Sequence, residues 1–188
     1  MGLFELFVIA IGLSMDAFAV ALCKGLSMRH PNVRNSVVIA LFFGGFQAVM
    51  PLIGWLLGKQ FAGYITGVDH WIAFVLLSLI GGKMIYEVFH GDGCPYDNGD
   101  TLDLRELFLL AVATSIDALA VGVTFAFLRV SILPAVSLIG VTTFILSFAG
   151  VFVGLKFGAR LKSKAELVGG VVLILMGLKI LLEHLGVL

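Results

Sequence analysis

The sequence predicts an all-α integral membrane protein: six transmembrane helices built as two inverted-topology repeats of three. Three observations carry that expectation. Of the 188 residues, 60% are hydrophobic and only 13% charged, with a mean hydropathy of +1.12, whereas a soluble domain carries roughly twice that share of charge. Apolar runs long enough to cross a bilayer core, about 18 residues or more, recur along the chain. A motif with an aspartate inside it, SMDAFAV at Ser14–Val20, returns as SIDALAV at Ser115–Val121.

The expected spans are 3–23, 36–58, 69–89, 105–127, 133–155 and 166–185. The first opens MGLFELF, with no basic region ahead of its apolar run, and so reads as a retained helix and not a cleaved signal. The second holds Pro51, which frees a backbone carbonyl one turn earlier, at Gln47. The breaks KGLSMRHPNVRNS, KQFAGYITGVDH, HGDGCPYDNGDTLD, LRVSILP and KFGARLKSKAE separate the spans. None is long enough for a soluble domain. The third is the longest polar break and divides the chain into 1–91, a linker at 92–104, and 105–188. Its acids read as a solvated linker.

Glu5–Val20 aligns with Glu106–Val121 and shares Glu, Leu, Phe, Ala, Ser, Asp, Ala, Ala and Val in register. Gly54 and Gly58 match Gly154 and Gly158, read as helix-packing glycines, and GGKMIYE at Gly81–Glu87 matches GLKILLE at Gly177–Glu183. Three spans per copy is an odd number, so the second copy enters the membrane from the opposite side. That is the plan of many secondary transporters, with the site at the midplane between repeats.

Charge sets the expected orientation. Lys24, Arg29, Arg34, Arg105, Lys156, Arg160, Lys162 and Lys164 fall after spans one, three and five, against Lys59 and Arg129 on the other side. Basic loops stay cytoplasmic, so both termini are expected outside. Cys23 and Cys94 then face the reducing side and are expected as free thiols.

Asp16 and Asp117 sit near the centres of their spans, where a charged Asp costs about 2.5–3.5 kcal/mol even on lenient insertion scales. Lys83 and Lys179 lie nearer helix ends and are expected to snorkel outward. The compensating charge is then a proton or a bound cation, unless the two Asp are protonated and hydrogen-bond across a helix interface. Gly12, Asp16, Ala19 and Cys23 fall on one stripe, and Ala113, Asp117, Ala120 and Thr124 on its counterpart. These small residues are expected to let the first and fourth spans approach, so that the carboxylates meet.

Gln47, Ser14, Ser115, Thr143 and Ser147 complete the candidate ligand set. Ser14 and Ser115 lie off the stripe, free to bond their own i−4 carbonyls or to turn toward the site. Met15 is read as packing. Carboxylate, amide and hydroxyl oxygens suit hard cations such as Mn, Mg or Ca, not Zn or Cu. Glu87 and Glu183, each four residues after a lysine, are either i,i+4 ion pairs or entry and exit positions on opposite sides.

GWLLGKQ lacks P-loop spacing, and no hydrolytic constellation is present. The expectation is a transporter and not an enzyme, with no cofactor and no nucleic-acid partner. Its partners are a divalent metal ion, protons and the lipid bilayer. Two neighbouring carboxylates that shed protons when they bind metal make it an antiporter. The alternatives are an exporter of another substrate (Fe²⁺, Ca²⁺ or a small amino acid) and a non-transporting membrane scaffold.

With FGGFQAVMPLIGW in the second span and DHWIAFVLLSLIGGKMI in the third, the paired Asp motifs resemble the bacterial manganese efflux pump family MntP over the whole chain. The resemblance implies that Mn²⁺ is the transported substrate. It further implies export across the bacterial inner membrane for manganese homeostasis, and functional roles for Asp16 and Asp117.

Overall fold

A computed structural model describes residues 2–28, 32–61, 69–90 and 102–185, excepting the side chains of 61, 69, 70, 87, 90, 156–163, 183 and 184. The described residues form helices and short turns, with no strand: α1 (Leu3–Ser27), α2 (Val33–Phe61), α3 (Asp69–His90), α4 (Leu104–Phe127) and α5 (Ile132–His184). Helix starts carry local signals. The Glu5 carboxylate accepts from Gly2 N–H at 2.9 Å, Asn32 Oδ1 from Arg34 N–H at 3.1 Å, and Asp103 Oδ1 from Arg105 N–H at 2.8 Å. Each satisfies an orphan donor of a first turn.

Five stretches are long and apolar enough to cross a membrane: α1, α2, α4, and within α5 the stretches Ile132–Leu155 (α5N) and Lys164–Leu182 (α5C). α3 carries a shorter apolar stretch, Trp71–Tyr86. The expected fifth and sixth spans are both present, although the backbone is helical through the residues between them, from Ile132 to His184. KFGARLKSKAE interrupts hydropathy but contains no proline. The contacts nevertheless run both ways. Ser14 meets Thr143 and Leu22 meets Gly154, so α5N runs parallel to α1. Met15 meets Gly169, Gly12 meets Leu173 and Glu5 meets Lys179, so α5C runs antiparallel to it. The chain reverses direction between the two stretches.

The tight pairs are few and specific. α1 lies against α5N and α5C, α2 against α4 and α5N, and α3 against α5C, while α1 and α2 scarcely touch. Missing side chains make these approaches possible. A Cβ on Gly54 would strike the Leu119 carbonyl, one on Gly122 the Pro51 carbonyl, and one on Gly154 the Leu22 carbonyl. Gly44 packs on Gly140 and Phe144, and Gly81 on Gly170. Close backbone approach through small residues is how helices associate where lipid offers no hydrophobic drive. The packing roles expected for Gly54, Gly58 and Gly154 are met, and Met15 packs against Gly169; the side-chain position of Gly158 lies outside the described residues.

α4 ends in a Schellman cap. Arg129 has φ 53°, its N–H donates to the Ala126 carbonyl at 3.4 Å, and Val130 N–H donates to the Phe125 carbonyl at 3.0 Å. A left-handed residue here turns the chain at once into α5N.

Cys23 is disulfide-bonded, which corrects the expected free thiol. The sequence holds one other cysteine, Cys94, outside the described residues.

Candidate metal-transport site

Four spans bring a polar side chain to mid-length. Gln47 is the central residue of α2, and Ser14, Ser115 and Thr143 lie within one residue of the centres of α1, α4 and α5N. All four are fully buried. They form two hydrogen-bonded links that meet α1 at neighbouring residues, Leu13 and Ser14. Ser115 Oγ donates to Gln47 Oε1 at 3.0 Å, and Gln47 Nε2 donates to the Leu13 carbonyl at 3.1 Å. Ser14 Oγ and Thr143 Oγ1 lie 2.7 Å apart. Ser14 Oγ also lies 2.6 Å from the Ala10 carbonyl and Thr143 Oγ1 2.8 Å from the Ile139 carbonyl; the two hydroxyl protons serve two of these three contacts at a time. The amide donates to one helix and accepts from another, which ties α4 to α1 through α2 and fixes the direction in which Oε1 points.

Ser14 thus takes both of its open alternatives, while Ser115 turns toward Gln47. Ser147, one turn past Thr143 and fully buried, has a hydroxyl with no hydrogen-bond partner among the described residues. A serine that leaves its i−4 carbonyl unused in a dry interior forgoes about 1 kcal/mol.

The aspartates flank these links, each two residues beyond its serine. Asp117 is 8% exposed and Asp16 half-buried. Two expectations are corrected here. Lys83 does not snorkel away: its Nζ donates to Asp117 Oδ2 at 3.1 Å, so Asp117 has a protein counter-ion. A lysine's long stem can carry its charge toward the membrane centre as readily as away from it. Nor does a small-residue stripe bring α1 directly onto α4. These two helices touch only sparsely, because Gly12 receives Leu173 and Val172 of α5C. Gln47 bridges the gap.

Among the described residues no three His, Cys, Asp or Glu side chains gather as a metal cluster. The side chains of Glu87 and Glu183 lie outside the described residues.

The family model described as "Putative manganese efflux pump" matches residues 30–181. The chain belongs to this family. A manganese efflux pump relative from Desulfitobacterium hafniense (strain Y51), described as "Putative manganese efflux pump MntP", is 63% identical over all of this chain and 98% of its own length. One of the same description from Acetivibrio thermocellus is 62% identical over 98% of this chain and 92% of its own. A third, from Clostridium perfringens (strain 13 / Type A), is 47% identical over all of this chain and 98% of its own. No solved structure matches the chain.

Sequence reasoning missed Lys83 and the Leu13 carbonyl. It also missed the ion pairs that join Lys179 to Glu5 and Lys24 to Glu106 at 2.6 Å. A signal for the lysines was present: Lys83 and Lys179 recur at matching repeat positions, as the aspartates do.

Proposed function

We propose that this chain exports Mn²⁺ across the bacterial cytoplasmic membrane in exchange for protons, and so serves manganese homeostasis. The observation that carries the reading is the set of buried polar residues at mid-length, Ser14, Gln47, Ser115 and Thr143, with Asp16 and Asp117 beside them. A hard cation would be held by Asp16, Asp117 and Gln47, with Ser14, Ser115, Thr143 and Ser147 as hydroxyl ligands. The names of the relatives support the metal and the direction.

The framework is six spans in two inverted repeats. Support comes from paired contacts. In the repeat alignment Gly81 corresponds to Gly177 and Phe74 to Gly170; the contacts of Gly81 with Gly170 and of Gly177 with Phe74 are therefore images of one another. Gly44 touches its own counterpart, Phe144. The positive-inside bias gives both termini outside. A reporter fused after Leu188 should read as external and one inserted at Asn98 as cytoplasmic; the reverse pattern overturns the orientation.

Export against an inside-negative potential costs about 4.6 kcal/mol per 100 mV for a divalent ion. A carboxylate must shed its proton to ligate metal. Each Asp therefore carries a proton one way and helps carry metal the other. Full-length protein in liposomes should move Mn²⁺ when a pH gradient is imposed, with protons flowing opposite to the metal. Mn²⁺ flux indifferent to the gradient overturns the exchange and leaves a uniporter.

A further inference from the structure

The four helices that carry the buried polar residues also close them off. Toward the C-terminal end of α1, α1 supplies Ala17, α2 Ile39 and Phe43, α4 Leu107 and Ala111, and α5N Val151. All six are fully buried and pack as one cluster. This plug begins about 5 Å beyond the level of Ser14. About 15 Å beyond that level, Lys24 of α1 pairs with Glu106 of α4 at 2.6 Å. α1 and α4 touch only sparsely, and the plug and the ion pair join them on this side.

In the repeat alignment Ala17, Ile39, Leu107 and Ala111 correspond to Ala118, Ile139, Leu6 and Ala10, the same residue type at each place. Those four are buried too, in one cluster toward the other end of the helices. The duplicated chain thus carries a plug on each side of its polar layer. Two differences separate them. Phe43 corresponds to Thr143, so the first plug holds an aromatic ring where the second holds a hydroxyl. Lys24 corresponds to Phe125, so Glu5, the counterpart of Glu106, has no cation at the matching place on α4 and is held by Lys179 of α5C.

We propose that the plug around Phe43 and the Lys24–Glu106 pair form the cytoplasmic gate of the transport path, and that this gate is held shut more firmly than the outer one. The proposal rests on the inverted-repeat exporter reading and the orientation given above. A ring of packed apolar side chains offers a cation no oxygen ligands, so the ion passes only when the helices part. Parting α1 from α4 on this side breaks the ion pair, a cost that the outer side does not carry across the same two helices. The side chains are 15% and 38% exposed, so the pair is partly shielded from water and the bias is moderate. A protein so biased is open to the cytoplasm for a minor share of the time, and its apparent affinity for cytoplasmic metal falls by that share. The gate thereby sets the cytoplasmic Mn²⁺ level at which export begins.

The test is the half-saturating Mn²⁺ concentration on each face of the full-length protein. Inverted membrane vesicles present the cytoplasmic face, and right-side-out vesicles the outer one. Lys24→Met and Glu106→Gln are each expected to lower that concentration about fivefold at the cytoplasmic face, the low end of usual coupling, without lowering it at the outer face. The double variant should shift it no further than either single one, because all three lose one interaction. Phe43→Ala should shift it in the same direction. The exchanged pair, Lys24→Glu with Glu106→Lys, should return it toward the wild-type value, and serves if a single variant does not insert. Unmoved values at the cytoplasmic face, equal shifts at both faces, or additive shifts in the double variant overturn the gate. Wild-type vesicles that carry no Mn²⁺ overturn the exporter reading, and the gate with it.

Discussion

Asp117→Asn is expected to stop Mn²⁺ efflux, lowering flux about 100-fold or more while the protein still inserts. Loss of a residue that merely supports a metal ligand costs about 10–100-fold, and Asp117 is proposed as a ligand itself. Asparagine keeps an oxygen at the same place and can still accept from Lys83, so geometry is preserved and only the charge is lost. The stability change should be small, within about 1 kcal/mol, because the Lys83 side chain is 48% exposed and is not stranded in a dry interior. Asp16→Asn should behave alike. The measurement is Mn²⁺ efflux from vesicles beside a melting curve of the solubilised protein. Full transport by either variant sinks the shared site.

Gly54→Ala should damage the fold where Gly45→Ala does not. A Cβ on Gly54 would fall inside the Leu119 carbonyl oxygen and close to Val123 N, and neither is a flexible group that can swing aside. α2 and α4 would have to part, which also pulls Gln47 from Ser115. Overpacking of this kind costs about 1–3 kcal/mol, sometimes more. Gly45 has nothing within 4 Å of its added Cβ, so alanine there costs little or gains a little from helix propensity. Thermal unfolding in detergent separates the two. Equal melting temperatures would show that the α2–α4 contact is not what holds the centre together.

Much of this was legible in the sequence because membrane spans are written in hydropathy, and the duplicated motif marks its polar residues twice. Ser14, Ser115, Gln47 and Thr143 stood out as polar residues at mid-span, and the structure joins them. Their pattern of bonds was not legible, since which partner a buried amide takes depends on how three helices cross. Lys83 was misplaced because position along a helix does not say which way a long side chain lies. Burial of Gly12 beneath α5C, and not beneath α4, is a choice of neighbour between two small-residue faces that look alike.

The close pairings described above have a bearing on ancestry. α1 is matched with α5N and α5C, α2 with α4, and α3 with α5C, so nearly every intimate contact joins the first half of the chain to the second. Within the first half α1 and α2 scarcely meet. A gene encoding one half alone would yield three helices with their adhesive faces bare. On the inverted-repeat reading proposed above, such a product is complete only beside a second copy inserted the other way up. Duplication and fusion would then have made permanent a partnership that two separate chains of opposite orientation had to find by diffusion.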